Sequence, residues 1–488
     1  MPKIKIDGKE YVAREGETVL QCAERNGIYI PRYCYHPSLS VSGNCRMCLV
    51  EIEKMPKLQI ACSTLVSEGM NVSTTGEKVK KARKDVLEFL LKNHPVDCPI
   101  CDQAGECYLQ DYYMDYGLHK SRVSQDEKIR RDKRKQAGDY LILDNERCIL
   151  CTRCVRFCAE VTKTEELFVS QRGDHSFIDF KPGCPVNNPY SLNIADICPV
   201  GAFTSADFRF RQRVWMLKTV ESVCLGCATG CRIKVQYNNN IVYRIMPLPN
   251  VETNTWLCDA GRMTYKELYA EKRLRKITVQ GKIQEWKYSS PVIALFEYIK
   301  DKNFSETAVF LSPWLSLEDN LALYYFASIA LKTENIFAAR APERKISDGI
   351  LRNTDKAPNS AAVELIKNKF SLKDPQEAPL EKISFVIAFQ KEAEKYSPEK
   401  EGLYFCLTEN SLEGALVPVK SYFETEGTFI NWQNYARKTF PAVSNLNKFT
   451  VWETLLKLAS YFSVYLPFSS FSDFEKIISQ EGLNKEFN

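Results

Sequence analysis

Four groups of cysteines, one of them completed by a histidine, have spacings suited to iron–sulfur clusters. Cys34, Cys45, Cys48 and Cys62 follow Cys-x10-Cys-x2-Cys-x13-Cys, a lengthened relative of the plant-type ferredoxin pattern, and predict one 2Fe-2S cluster. Zinc is the alternative, although zinc sites favour two paired knuckles over this one-plus-two-plus-one arrangement. The loop from Pro37 to Asn44 is turn-forming, which lets backbone N–H groups approach the cluster sulfurs and stabilise added negative charge.

His94, Cys98, Cys101 and Cys107 place soft or borderline donors on one short loop, enough to wrap a 4Fe-4S cubane with one imidazole ligand. The chain has four histidines, so one at the mouth of a three-cysteine loop is a specific signal; a zinc site built from the same histidine and cysteines is the alternative. His36, His119 and His175 lack such company and read as surface or loop residues. An imidazole in place of a thiolate removes one negative charge and by itself raises the potential, as in Rieske centres.

Cys148, Cys151 and Cys154 give the bacterial ferredoxin run in which a remote Cys-Pro supplies the fourth ligand, and Cys198-Pro199 provides it. Cys184-Pro185 is a competitor, and Cys158 is the nearest cysteine in sequence. Cys224, Cys227, Cys231 and Cys258 make a third 4Fe-4S candidate, with Gly226 and Gly230 between ligands for tight turns; zinc is again the alternative. Cys22, Cys158, Cys184 and Cys406 remain as structural thiols.

The elements that must position these ligands are partly legible. Lys3 to Val12 reads as a hairpin through Asp7-Gly8, followed by a helix capped by Thr18 and ended by Gly27, a ferredoxin-like beginning. Val79 to Asn93 predicts an amphipathic helix with Val79, Ala82, Val86, Phe89 and Leu90 on its apolar side, running into His94. Beyond about residue 285 apolar runs at 308–311, 383–389 and 402–407 alternate with helical patterns and predict an α/β domain.

With 488 residues the chain exceeds one core, and 44% hydrophobic and 26% charged residues exclude disorder or coiled coil as its overall character. Nineteen cysteines, an odd number bunched in Cys-x2-Cys pairs, point to metal binding in a reducing compartment rather than to disulfides. The N-terminus enters strand residues directly, without signal peptide or presequence character, and the apolar stretches 321–331 and 455–468 are too short to span a membrane. These features predict a cytoplasmic, bacterial protein. Much of the net charge of +5 lies between Lys120 and Lys135, which reads as a solvated linker or, alternatively, a docking strip for an acidic partner; charge is not spread over a face as nucleic-acid binding requires. No dinucleotide or triphosphate fingerprint occurs, so no bound NAD is expected.

In order, the four signatures resemble the iron–sulfur subunit of NADH-quinone oxidoreductase, the bacterial G-type and mitochondrial 75 kDa family. The resemblance is dense over residues 1 to about 265 and extends past the ligands, through Tyr33 to His36, Gly43 to Cys48, His94 to Cys107 and Cys198 to Ala202. The last phrase, Cys-Pro-Val-Gly-Ala-Phe, favours Cys198 over Cys184. Glu424 to Asn431 resembles a phrase of the molybdopterin oxidoreductase fold, and Cys406 reads as a strand interior rather than a molybdenum ligand.

The resemblance implies a multidomain α+β and α/β chain: a β-grasp 2Fe-2S ferredoxin-like domain (1–78), a helical 4Fe-4S domain with the histidine-and-cysteine ligand set (79–119), a charged linker (120–139), a bacterial ferredoxin-like 4Fe-4S domain (140–216), a molybdopterin-oxidoreductase-type 4Fe-4S domain (217–273) and a degenerate, shortened molybdopterin-oxidoreductase-like domain (274–488). It implies one 2Fe-2S and three 4Fe-4S clusters and no molybdenum, NAD or flavin on this chain. A flavin- and NADH-binding subunit supplies electrons, other peripheral-arm subunits accept them toward quinone, and the chain meets the cytoplasmic side of the inner membrane only through the assembled complex. The alternative is an iron–sulfur subunit of an NAD-linked formate dehydrogenase or hydrogenase, for whose catalytic metal no ligand set is seen.

Overall fold

The computed structural model describes residues 1–118, 120–124, 126–248, 255–284, 290–444 and 449–483, so the reading of His119 lies outside the described residues. The chain forms two compact units, Met1–Leu217 and Lys218–Asn488.

In the first unit, Lys3–Ile6 and Lys9–Val12 pair antiparallel across a turn in which Asp7 and Gly8 both have positive φ, as a two-residue hairpin of this kind demands. Thr18 caps the helix Val19–Arg25 in a reciprocal box with Gln21, and Gly27 follows it at φ +75°. Asn71–Ser73 joins the first strand in parallel, and Leu49–Ile52 and Gln59–Ile60 complete a five-stranded sheet over a core of Ile4, Ile6, Leu20, Val50, Ile52 and Val72.

The helix Glu77–Asn93 forms, with Val79 buried and Val86 and Leu90 packed against the core as expected, but Arg83 and Leu87 are buried too and Phe89 is 78% exposed. Four-residue spacing keeps Val79, Arg83 and Leu87 on one face, and Phe89 lies about 200° round from Leu87. Arg83 is accommodated because its guanidinium donates to the Tyr116 hydroxyl at 3.1 Å and the Leu49 carbonyl at 3.4 Å.

The basic segment is solvated only in part: Lys120, Arg122, Arg130, Lys133 and Arg134 are exposed, but several of its cations have partners. Lys128 is buried, Arg122 pairs with Glu88, Lys133 with Asp97 and Glu146, and Lys135 with Asp179. These anions come from the helix before His94, the His94 loop and the segments around the Cys148 loop, so part of the charge run ties the segment to the cluster loops.

The second unit begins with an antiparallel sheet of Lys218–Val223, Arg232–Asn238 and Ile241–Pro247. A seven-stranded sheet follows. Its five parallel strands stand in the order Ile336–Phe337, Thr307–Phe310, Phe385–Phe389, Gly402–Cys406, Gly414–Pro418, with Thr278–Val279 and Lys282–Ile283 antiparallel at the edge. Successive side chains alternate between two cores, Val309, Ile387, Leu403 and Phe405 on one face and Ala308, Val386, Tyr404 and Cys406 on the other. Among the described residues no helix is long and apolar enough to cross a membrane.

Candidate cluster-binding sites

No disulfide joins any of the nineteen cysteines. Cys34, Cys45, Cys48 and Cys62 come together as two hydrogen-bonded pairs, Cys34 with Cys45 and Cys48 with Cys62. The hydrogen bond from Cys45, helped by the backbone N–H groups of Cys45 and Asn44 and by Arg156, outweighs burial and brings Cys34 down to about 5, while Cys45 is pushed up.

Two arginines fasten this loop. Arg156 donates to the carbonyls of Cys34, at 2.5 Å, and Ser40; Arg153 donates to those of Tyr35, at 2.6 Å, and Ile197, at 3.0 Å. His36 is in the loop, as expected, but buried rather than on the surface: its Nδ1 accepts from the Ser38 N–H at 3.2 Å. His175 is exposed.

His94 stands at the C-terminal cap of the helix Glu77–Asn93. Its Nδ1 is buried with no hydrogen-bond partner, which is what a metal-ligating nitrogen looks like without its metal. Burial, with Arg147, Lys128 and Lys133 nearby and Asp97 opposing them, holds the imidazole down at about 4, so it is neutral as a ligand must be. Cys98 and Cys101 bracket a single 3-10 turn, Cys98–Ile100, and Cys107 caps the helix Tyr108–Tyr116. Burial pushes Cys107 up to about 12 against the pull of the Gln110 and Leu109 N–H groups.

Cys148, Cys151, Cys154 and Cys198 line one enclosed space with Val200 and Phe203. Leu150 and Thr152, both at positive φ, turn the loop so that its cysteines face inward, and Leu150 N–H donates to Cys148 Sγ at 3.4 Å. Cys198 receives the N–H groups of Phe203, Val200 and Ala202. Cys158 is elsewhere, buried against Glu166, and Cys184 is exposed.

In the second unit, Cys224, Cys227, Cys231 and Cys258 line one end of a cavity of about 390 Å³. Gly230 takes the left-handed turn expected of it, at φ +58°, whereas Gly226 does not; the close approach is at Gly261, where a Cβ would lie 2.8 Å from Cys224 Sγ. Backbone N–H groups of Gly226 and Gly261 donate to Cys224 and Cys258 at 3.5 and 3.4 Å.

Sequence reasoning missed the supporting residues. Arg147, buried between Asp97 and Asp144, ties the His94 loop to the start of the Cys148 loop. Gly201 backs onto Cys101: a Cβ there would lie 2.3 Å from its sulfur. Arg147 was signalled only by its adjacency to Cys148, and Gly201 stood in the phrase Cys198 to Ala202 with nothing to say that it faces Cys101.

Four families match in series: a 2Fe-2S iron-sulfur cluster binding domain over residues 2–77, the NADH-ubiquinone oxidoreductase-G iron-sulfur binding region over 83–122, the ferredoxin-like domain of NADH-quinone oxidoreductase subunit 3 over 138–204, and the molybdopterin oxidoreductase Fe4S4 domain over 217–270. The G-type subunit of NADH-quinone oxidoreductase from Rickettsia felis is 40% identical over 65% of this chain and 47% of its own length. The mitochondrial 78 kDa subunit of NADH-ubiquinone oxidoreductase from Candida albicans is 42% identical over 53% of this chain and 36% of its own, and the 75 kDa subunit from Reclinomonas americana 42% over 55% and 39%. The chain spans about half the length, or less, of the curated relatives it matches. A chain in the crystal structure of an NAD+-reducing [NiFe]-hydrogenase in the H2-reduced state is 30% identical, with 44% of this chain and 91% of that one covered and a TM-score of 0.39.

Sheet order, cysteine loops and matched domains define a mixed α/β multidomain iron–sulfur protein with ferredoxin-like 2Fe-2S, 4Fe-4S and molybdopterin-oxidoreductase Fe4S4 domains. Within that class the chain is a homologue of the G-type subunit of NADH-quinone oxidoreductase, the mitochondrial 75 kDa subunit, as its motifs implied.

Proposed function

We propose that the chain is an electron-transfer subunit of a proton-translocating NADH-quinone oxidoreductase, relaying electrons from a flavin subunit toward quinone and inactive as a catalyst alone. Cys34, Cys45, Cys48 and Cys62 hold a 2Fe-2S cluster. Three 4Fe-4S clusters are held by His94 with Cys98, Cys101 and Cys107, by Cys148, Cys151, Cys154 and Cys198, and by Cys224, Cys227, Cys231 and Cys258. When bound, such clusters carry single electrons; the chain contributes spacing, burial and hydrogen bonds.

The observation that carries this reading is a shared core. Cys34, Cys107 and Cys151, one from each of the first three ligand sets, are buried together with Tyr33, Met47, Tyr112, Val200 and Ala202. The segments 1–78, 79–119 and 140–216 therefore act as one conduit, with 120–139 as its fastening. The fourth cluster, in 217–273, stands outside that relay. Arg147, Arg153 and Arg156 hold the loops at fixed spacing, and the apolar core excludes water from between them.

Residues 274–488 act as an inherited molybdopterin-oxidoreductase-like scaffold without molybdenum. What supports this is Cys406, buried in the sheet with Asn410 Nδ2 donating to its sulfur at 3.2 Å, a packing thiol rather than a ligand facing a cleft. Partners are the flavin- and NADH-binding subunit and other peripheral-arm subunits, on the cytoplasmic side of the membrane.

Anaerobic purification of the full chain followed by iron, sulfide, zinc and molybdenum analysis tests the reading: about 14 iron with matching sulfide is expected. Zinc with little sulfide, or stoichiometric molybdenum, overturns it. NADH alone should neither bind saturably nor bleach the visible absorption.

A further inference from the structure

The parallel strands of the second unit run 2-1-3-4-5 in space by chain order, so the direction of winding reverses between Thr307–Phe310 and Phe385–Phe389. In open sheets of this kind the crevice at the carboxyl ends beside that reversal is where small ligands bind. A cavity of about 320 Å³ lies there. Pro313 and Trp314, which follow the first strand, Lys391 and Glu392, which follow the third, and Asp355 and Ser360 are among the residues that line it.

Three buried polar atoms around this cavity lack a hydrogen-bond partner: Glu392 Oε2, Asp355 Oδ2 and Ser360 Oγ. The residues are 6, 5 and 4% exposed. Buried polar atoms are nearly always paired, and three around one cavity point to something that fills it. Asp374, the third acid in the lining, is already satisfied by Lys367 at 2.6 Å and the Arg340 N–H at 3.2 Å. Two exposed cations face them: Lys391 Nζ lies 3.0 Å from the Trp314 ring centroid and Lys395 Nζ 4.6 Å from that of Tyr396, each over a ring rather than in an ion pair.

We propose that this crevice binds a small zwitterion of the α-amino-acid class, its ammonium on Asp355 and Glu392 and its carboxylate on Lys391 and Lys395. A bare cation would leave both lysines unmatched, and a bare anion would leave both carboxylates so. Burial pushes the Glu392 carboxyl up to about 7, against a hydrogen bond with Ser312 and the charges of Lys391 and Lys395, and an arriving ammonium favours the ionised form that burial disfavours. Ser360, at the start of the helix Ser360–Phe370, offers the remaining hydroxyl. The crevice holds none of the cluster cysteines, although Trp314 and Lys391 also line the cavity of the Cys224 set.

Isothermal titration of the cluster-loaded full chain with glycine, L-leucine and L-glutamate tests this. At least one should bind saturably, and at least tenfold more weakly in Glu392→Gln and in Lys395→Met, with the visible absorption of the clusters unchanged. The amine and the carboxylic acid that each lack one charged group of leucine, 3-methylbutylamine and 4-methylpentanoate, should not bind. Failure of all three amino acids, as a cavity holding only water would give, overturns the proposal. So does binding of the amine, the acid or AMP in preference to the amino acids, or undiminished binding in Lys395→Met, whose exposed position leaves folding intact.

Discussion

Lys128 Nζ donates to the backbone carbonyls of His94, at 2.6 Å, and Leu91, at 2.9 Å, closing the end of the helix that presents the histidine. The carbonyls at a helix C-terminus lack partners within the helix, and a buried ammonium satisfies two of them while setting the direction in which His94 leaves. Lys128→Met should cost roughly 1.5–3 kcal/mol, the value of hydrogen bonds to a charged donor. It should also lower the midpoint potential of the His94 cluster by removing a nearby positive charge. Thermal unfolding and an EPR-monitored redox titration check both effects, with Lys128→Arg expected to restore part of each.

Gly201 makes a second link between ligand sets. It sits three residues beyond Cys198 yet its open side faces Cys101, so the Cys148-type and His94-type sites share a wall. Gly201→Ala forces a methyl to 2.3 Å from that sulfur, where backbone or ligand must move. The variant should fold, retain the 2Fe-2S signal and contain about four fewer iron atoms per chain, one cubane. Iron analysis with low-temperature EPR measures this; a full iron count would show that the loop absorbs the methyl freely.

The ligand spacing was legible because cluster binding is a local demand: Cys148, Cys151 and Cys154 lie within one loop and must be close. The hairpin at Asp7-Gly8 and the Thr18 cap were legible for the same reason. What sequence did not disclose was tertiary compensation. Phe89 fits an apolar helical stripe as well as Leu87 does, but the face is chosen by what packs against it, and Arg83 wins a buried place only because Tyr116 and Leu49 supply acceptors. Likewise the run from Lys120 to Lys135 looks solvated when its anions, Glu88, Asp97, Glu146 and Asp179, are scattered over some ninety residues of sequence. His36 reads as a surface loop residue for want of any local sign that the loop folds inward.

Asp319 gives a pH signature to the second unit. It is buried at the start of the helix Leu317–Tyr325, where burial, against hydrogen bonds from the Trp452 N–H and Ser316, pushes its carboxyl up to about 7. Between about pH 4 and 7 the folded state therefore keeps a proton that the unfolded chain has released, so this group's stabilisation is full below about 4 and is lost as pH rises through 7. The span is at most roughly 4 kcal/mol, since each pH unit between the two titrations is worth about 1.4 kcal/mol. Asp319→Asn, which keeps an acceptor for the Trp452 N–H, should flatten the dependence and raise stability at pH 8. Thermal unfolding at a series of pH values for both proteins reads the difference.

Cys198, and neither Cys158 nor Cys184, should complete the cluster begun by Cys148, Cys151 and Cys154. Proximity in sequence nominates Cys158, and Cys184 precedes a proline as Cys198 does. Placement separates them. Cys198 lines the same enclosed space as the other three and takes the N–H groups of Val200, Ala202 and Phe203, donors suited to a bound sulfur. Cys158 is buried against Glu166, outside that space, and Cys184 is exposed to solvent. Serine exchange at each position, followed by EPR of the dithionite-reduced protein, should remove or convert one 4Fe-4S signal in Cys198→Ser alone. Cys158→Ser should lose stability modestly at most, with all clusters in place, and Cys184→Ser should match the parent in both respects. A normal spectrum for Cys198→Ser beside a lost signal in either other variant would reassign the ligand.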